Sequence, residues 1–359
     1  MTLASSSSSQ NGRGGAGLPW PLRVRVWDAA LHSVRSQLRG AGLREVSTPI
    51  RGEAVAIEPW IEPIHSNGKL LATSPELTMK CLLARGSSSM FQIAHVFRAA
   101  ERGAKHSEEF HLIEWYRDQR VSPGGVVVVM RDVEQIVAAV FEAVAREMVD
   151  AGAWATREPP RAPQRWERVE LLDLMGETLG HELAGNEAPE AIEDVLGRVR
   201  EAAGLGLPPR DPPPDDPALA RLLDWTELFG LWSDLHLEPW LAARGPGVGV
   251  HVQGFPASLA ALAELEPGGR VGARFESHVG AVELANGYRE LRDPIEQRRR
   301  FELVASLRAH HELPSLPMPE AFLRELGGLP PCVGVALGLD RLVALACGCD
   351  RLDQVALTP

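Results

Sequence analysis

The chain has 359 residues, 45% of them hydrophobic and 24% charged, with a formal net charge of −11. This is the composition of a globular protein with room for one large domain or two small ones, and the acidic balance argues against a general nucleic-acid coat or adhesion to an anionic membrane surface. No apolar run reaches the roughly 18 residues of a bilayer span, and Cys81, Cys332, Cys347 and Cys349 lack zinc-finger spacing, so we expect buried thiols in a reducing compartment and a cytoplasmic location.

Residues 1–20 are rich in Ser and Gly and lack the apolar core of a signal peptide, which reads as a flexible tail. Over 22–40, Val24, Val26, Trp27, Ala30, Leu31, Val34 and Leu38 share a broad helical face, closed by Gly40 and Gly42. "LREVSTPI" follows as a short extended segment ending near Pro49. "SPELTMKCLLARG" suits a helix with Ser74 as N-cap, Pro75 in the first helical position and Gly86 as stop. "SMFQIAHVFR" and "EFHLIEWYR" read as two strands. A helix of about twenty residues is expected from Val126, after the Pro-Gly-Gly break.

Residues 151–165 and 205–217 are Pro-rich loops, 166–204 look helical without a motif, and a further helix covers 217–230. Strand signals return at 247–253, 271–279 and 280–291. "IEQRRRFELVASLRAHHE" reads as an amphipathic helix, and "CVGVALGLDRLVALACG" as strand, glycine turn and helix. Two distant strand blocks with hairpin-like joins imply an α+β domain with mainly antiparallel pairing, about six strands in all.

The segment "FRAAERGAKHSEEFHLIEWYR" concentrates charge between two strands. Alternation places Phe110, Leu112, Glu114 and Tyr116 on one face and His111, Ile113 and Trp115 on the other. A lone buried carboxylate is costly, so either the Glu114 face is wet or salt-bridged, or a ligand ammonium meets it.

This segment resembles motif 2 of the class II aminoacyl-tRNA synthetases. "GVALGLDRL" resembles their motif 3, and the helix ending in "GLREVSTPI" is similar to motif 1. "TSPELTMKCLLARG" and "VELANGYRELRDPIEQRRRFE" narrow the likeness to the lysyl branch. Within it the chain resembles the short paralogues that attach a lysine-type residue to elongation factor P. The likeness is dense over 70–117 and 249–345 and weak over 150–230. Motif 1 begins almost at once, so the anticodon-reading barrel is expected to be missing and tRNA is not the expected acceptor. Residues 21–359 would form one catalytic domain.

The resemblance implies ATP and Mg2+ as cofactors, lysine or β-lysine as substrate, and a homodimer formed through motif 1. It implies that Arg98 contacts the α-phosphate and substrate carboxylate and that Arg341 contacts the γ-phosphate, as planar, always-charged guanidinium groups suit. It puts His106 near the phosphates, Phe110 on the adenine, and Leu284 and Gly338 at nucleotide positions. Glu76 would meet the amine near the substrate carboxyl, and Glu114, Tyr116 and Glu290 the far ammonium, with Ser74, Asn286 and Ala336 at further substrate positions. Ala336 stands where lysyl synthetases usually have Gly. Glu276 and Glu283 would hold Mg2+.

Glu276, Glu283 and Glu290 are seven apart, so a regular strand would alternate their faces. Bends near Gly280 and Asn286–Gly287 are needed to reset the phase. The chain departs from the family after Arg98, where Ala99 and Ala100 replace the usual Asn-Glu, and at Ser107, which replaces Asn. Glu101 is one position away, with the wrong parity unless the loop shifts. Three functions stay open: a ligase acting on a protein lysine, a tRNA-charging or free-lysine-activating enzyme, and a non-catalytic regulatory paralogue.

Overall fold

A computed structural model describes residues 17–154, 158–205 and 214–358. Most of the expected tail, and residues 155–157 and 206–213 of the two Pro-rich stretches, lie outside the described residues.

The first helix, α1, runs Trp20–Gly40. It buries Leu22, Val26, Trp27, Ala30, Val34 and Leu38 on one stripe, and Gly42, at φ 85°, turns the chain out of it. The short strands β1 (Arg44–Glu45), β2 (Arg51–Gly52), β3 (His65–Ser66) and β4 (Lys69–Leu71) lead to α2 (Glu76–Ala84). α2 starts one residue later than expected, with Pro75 rather than Ser74 at the N-cap position, although Ser74 Oγ still accepts the Glu76 N–H at 3.0 Å. β5 (Met90–Phe97) and β6 (Glu109–Asp118) follow, then α3 (Val126–Asp150), longer than expected at 25 residues. The valine run at its start has modest helix propensity; its burial against the sheet and α1 holds it helical.

Residues 165–170 correct the expectation of a helix, forming strand β7 (Arg165–Glu170). α4 (Leu171–Leu179), α5 (Pro189–Ala202), α6 (Pro217–Trp232) and α7 (Glu238–Arg244) come next. β8 (Val248–Pro256), β9 (Val271–Val279), β10 (Val282–Arg289), α8 (Pro294–His310), α9 (Glu320–Leu326), β11 (Cys332–Gly338) and α10 (Leu339–Cys347) complete the order.

Among the described residues the main sheet has eight strands rather than six, in the order β1-β5-β6-β11-β10-β9-β8-β7. The inner pairings are antiparallel, as expected. The two outermost, β1 with β5 and β7 with β8, are parallel. β1 falls within the extended segment expected from "LREVSTPI", whereas β7 has its two apolar residues, Trp166 and Val169, three apart among charged ones, which is not the period of a strand.

The two faces of this sheet differ in kind. Phe91, Ile113, Trp115, Phe275, Ala285, Val333, Val335 and Leu337 point to one side and pack with α1, α3 and α10 into the principal core. Trp115 Nε1 donates to Asp132 of α3 at 3.0 Å, and Arg117 grips the same carboxylate with two bonds of 2.6 Å, so the buried charge is fully paired. The opposite face carries Gln92, Glu114, Tyr116, Ala336, Asn286, Tyr288 and Glu276 and remains polar. The 171–241 section builds its own core, in which Leu171, Ile192, Trp225 and Trp232 pack on Val250, Val252 and Phe255 of β8.

α8 is less amphipathic than its sequence suggests, because Gln297 and Arg308 are buried beside Phe301 and Leu307. Arg308, 1% exposed, donates to the carbonyls of Glu58 (3.0 Å), Ile61 (3.3 Å) and Pro314 (2.9 Å) and pairs with Glu62. It thereby fastens the 58–62 segment at the rim of the polar face. Arg308→Met should lower stability by about 2–4 kcal/mol, the scale of stripping a buried polar network of its donor, read as a shifted urea midpoint. Arg308→Lys should recover less than half, because an ammonium cannot fork between the two segments.

Candidate active site

Strand register assembles the polar face. Gln92 of β5 opposes Glu114 of β6, which opposes Ala336 of β11, which opposes Asn286 of β10, which opposes Glu276 of β9. One step along, Met90, Tyr116, Gly334, Tyr288 and Arg274 form a parallel row. The phase problem of the three glutamates is solved once, not twice. Gly280, at φ 53°, turns the β9–β10 hairpin, and a bulge at Leu284 separates Glu283, paired with His278, from Ala285, paired with Ser277. Glu283 before the bulge and Asn286, Tyr288 and Glu290 after it therefore share a face. No second reset occurs at Asn286–Gly287. Leu284 itself is buried in the helix-side core, so its side chain, unlike the nucleotide contact expected of it, does not reach the polar face.

One end of this face is acidic. Glu114, 2% exposed, accepts from Tyr116 Oη at 2.5 Å and Ser74 Oγ at 2.7 Å. Glu76, at the start of α2, accepts from Tyr288 Oη at 2.8 Å and from Lys80 Nζ at 2.5 Å. Lys80 also touches Glu290, and both side chains are 1% exposed. Glu290 sits over Gly334, where any Cβ would lie 2.2 Å from Glu290 Oε1 and 2.4 Å from the Tyr116 ring. Glycine is thus required beneath the carboxylate. Oε1 of Glu290 is buried with no hydrogen-bond partner among the described residues.

The protonation of this cluster follows from its contacts. Burial, and then Glu76, push Glu114 up to about 7, and its two hydroxyl donors only partly offset this. Burial also raises Glu290, to about 8, although Lys80 acts to lower it. Lys80, though buried, is held well above its ordinary range by Glu290 and Glu76. The Lys80 and Glu290 shifts oppose one another, since a neutral Glu290 would give Lys80 little. The direct contact of Nζ with Glu290 favours the charged form of that pair, whereas Glu114 touches no cation and is free to hold a proton until a ligand ammonium arrives.

The other end is cationic. Arg341, in the first turn of α10, donates to the Glu283 carbonyl (3.0 Å), to the Lys105 carbonyl (3.2 Å) and to His106 Nε2 (2.9 Å). Dehydration, and then Arg341, hold His106 below its usual range, which suits an acceptor Nε2. Arg98 lies 5.2 Å over the Phe110 ring. Glu101 approaches Arg98 at 3.9 Å and His106 at 3.7 Å. The parity objection to Glu101 is met by Ala100, whose φ of 63° shifts the loop. Gly338 lies where β11 passes into α10, beside Arg341.

Glu276 pairs with Arg274 at 2.6 Å and lies 3.6 Å from His278. Burial acts to raise it, but Arg274 and His278 outweigh burial and hold it below the usual carboxylate range. Glu283 shifts upward, through dehydration and then the nearby Glu276. Two hard carboxylates on one face, one of them short of positive charge, fit a divalent ion. No group of three or more His, Cys, Asp or Glu side chains makes a metal cage among the described residues, so such an ion would need ligand oxygens to complete its shell. A cleft of about 820 Å³ opens beside Arg274, Asn286 and Tyr288, walled by Phe229 of α6 and Phe301 of α8. That volume suits a small-molecule ligand.

The structure thus brings together the expected Ser74, Glu76, Glu114, Tyr116, Asn286, Glu290 and Ala336 at one end. It gathers Arg98, His106, Phe110, Gly338 and Arg341 at the other, with Glu276 and Glu283 on the same face. Sequence reasoning missed Lys80, Tyr288 and Arg274. Lys80 lies four residues after Glu76 on a helix, an ion-pair spacing, and Tyr288 and Arg274 alternate with named residues on their strands. A second constellation is excluded by burial: His251 bonds Ser277 Oγ (2.9 Å) and Glu134 (3.1 Å), but His251 and Ser277 are fully buried on the helix-covered face.

A family model described as tRNA synthetases class II (D, K and N) matches residues 22–359. The chain is similar to proteins named elongation factor P–(R)-β-lysine ligase. It is 32% identical over 335 residues to that of Pectobacterium carotovorum, covering 90% of each chain. It is 32% identical over 358 residues to that of Vibrio campbellii, covering 94% of this chain and 95% of the relative. The Haemophilus influenzae protein is 32% identical over 334 residues, with 90% of each covered.

The Glu114 proton ties stability to pH. Its pKa is raised on folding, so the stability it contributes is fully present below the ordinary carboxylate range, near 4.5, and is lost as pH rises through about 7. In protein without added substrate, Glu114→Gln should therefore gain stability relative to wild type between pH 5 and pH 8, by up to roughly 3 kcal/mol. Paired denaturation curves at the two pH values measure this. A difference that stays constant would mean Glu114 is already ionised at pH 5.

Proposed function

The chain belongs to the class II tRNA synthetase family of the D, K and N enzymes, and on that footing we propose that it is an ATP-dependent ligase that activates lysine or β-lysine and transfers it to a lysine side chain of elongation factor P. The observation that carries this reading is the division of one sheet face into an acidic end, around Glu114 and Glu290, and a cationic end, around Arg98 and Arg341. A diamino acid and a nucleotide triphosphate have the complementary charges.

In this reading the substrate carboxylate attacks the α-phosphorus of ATP and pyrophosphate leaves; an acceptor amine then attacks the acyl carbon of the adenylate, forming the amide as the acyl–oxygen bond breaks and AMP and a proton leave. Arg98, at the cationic end but bonded to the carbonyl of Thr73, next to Ser74, can neutralise the carboxylate and α-phosphate while they react. Arg341, braced by carbonyls and by His106, faces the outer phosphates. Positioning and charge stabilisation of this sort supply most of the catalysis in such displacements. Phe110 offers its ring to the adenine. Glu76 receives the amine near the carboxyl, and Glu114 with Tyr116 and Glu290 receive the far ammonium, which replaces the proton on Glu114. Glu276 and Glu283 would hold Mg2+, whose charge would screen the phosphate oxygens. Glu101, on Arg98 and His106, supports a working site despite Ala99 and Ala100.

The relatives' names support (R)-β-lysine over lysine and a protein acceptor over tRNA. Exposed Trp20 and Val24 on α1 support a homodimer through that helix. Among the described residues no helix is long and apolar enough to cross a membrane, and use of ATP and a translation factor suits the cytoplasm.

Purified protein with ATP, L-lysine or (R)-β-lysine, and elongation factor P or tRNA should give acceptor-bound product only with elongation factor P; charging of tRNA would replace this reading with the synthetase alternative. Arg341→Ala should lower amino-acid-dependent pyrophosphate exchange by about 100-fold or more, the scale of losing one charge-stabilising donor. Glu114→Gln should weaken the lysine-type substrate by about 2–4 kcal/mol and leave ATP affinity nearly unchanged, measured by titration calorimetry with each ligand separately.

A further inference from the structure

Lys80 is a cation already inside the pocket that would receive the substrate's own cations. Its side chain is 1% exposed, and it extends from the second turn of α2 between Glu76 and Glu290. The Nζ lies 5.3 Å from the centre of the Tyr288 ring, which closes it from the cleft side. It claims Oε1 of Glu76 and Oε2 of Glu290. The other oxygen of each carboxylate is left over, and Oε1 of Glu290 is buried with no hydrogen-bond partner among the described residues. An orphaned carboxylate oxygen at such depth is itself the mark of a site for a cation.

The charge count gives this arrangement a consequence. Three carboxylates, Glu76, Glu114 and Glu290, are buried at this end. Against the one ammonium of Lys80 they leave two negative charges once Glu114 has given up its proton to the arriving ligand. A further carboxylate, Glu58, is raised by burial, with Arg98 and Arg274 acting to lower it and Glu76 to raise it; its contribution is common to every variant compared below. Resting on the functional reading above, we propose that Lys80 is a specificity-determining residue: a fixed ammonium that cancels one of three carboxylates, so that the pocket is matched to a ligand carrying two ammonium groups. Selection of a diamino acid over a monoamino acid then depends on a lysine that itself takes no part in the reaction. A buried pocket with one charge too many or too few is penalised, because water cannot screen the excess.

The proposal makes a sign prediction that a structural role for Lys80 does not. Glu290→Gln leaves one net negative charge and should weaken L-lysine binding by about 100-fold. Adding Lys80→Met to that variant restores two negative charges, and it should bind L-lysine at least tenfold more tightly than Glu290→Gln alone. Norleucine, which lacks the far ammonium, should discriminate least against Glu290→Gln. ATP affinity should stay within about threefold throughout, a split between the two ligands that global damage would not produce. Titration calorimetry with L-lysine, norleucine and ATP on wild type, the single variants and the double variant reads all of this. A double variant that binds L-lysine no better than Glu290→Gln, or that fails to fold where Glu290→Gln folds, makes Lys80 structural and overturns the inference. If wild type binds neither L-lysine nor (R)-β-lysine, the functional reading fails and this inference with it. If wild type binds but the double variant shows no rescue, the Lys80 inference falls alone.

Discussion

Holding three carboxylates away from water is the constraint around which this molecule is arranged. Glu76, Glu114 and Glu290 each lose hydration that no single neighbour replaces. Lys80 compensates two of them, hydroxyls of Tyr116 and Ser74 partly compensate the third, and Gly334 opens the space in which Glu290 can sit. The balance is left incomplete, and that incompleteness is what a dicationic ligand can use. A pocket whose charges were all satisfied internally would be more stable and would bind nothing.

The sheet makes such a cluster tolerable by separating its two faces. One face is sealed by α1, α3 and α10 with aromatic and β-branched side chains, and the buried carboxylate of Asp132 there is tied by Arg117 and Trp115. That dry side supplies the hydrophobic stabilisation, so the opposite side is free to hold groups that destabilise. The bulge at Leu284 links the faces: it sends one leucine into the core and in the same step turns Asn286, Tyr288 and Glu290 onto the polar side. The Ser277–His251–Glu134 cluster shows the converse. Residues that would be reactive in a cleft are inert on the sealed face, where burial keeps His251 neutral, pushed down to about 3.

The divergent section follows the same logic at the sheet's edge. β7 adds in parallel to β8, and α4 to α7 pack a separate core on that strand. This module also supplies one wall of the cleft through α6. A section without a legible motif therefore shapes the space beside the substrate residues while contributing none of the charged groups discussed above.

The strands β5, β6, β8, β9, β10 and β11, the helices that bear motifs, and most of the site residues were legible in the chain itself, because period-two alternation and helix caps are local signals and the motifs add order along the chain. Edge strand β7 was not, since apolar residues three apart in a charged run show no period of two, and β1 was legible only as part of a longer extended segment. The phase of the glutamates shows the limit most clearly: spacing by seven demanded a reset, but only the register of β10 against β9 decided that it occurs at Leu284, because a bulge is a property of two strands and not of one. The burial of Arg308 is not written in its own helix, because the carbonyls that hold it come from the distant 58–62 segment. Lys80 was likewise invisible as a pocket residue, although its spacing from Glu76 was plain, because the carboxylate that completes its cage lies 210 residues further along the chain, at Glu290. Local chemistry is written in the chain, whereas the balance of charge inside a pocket depends on which distant side chains the fold brings into contact.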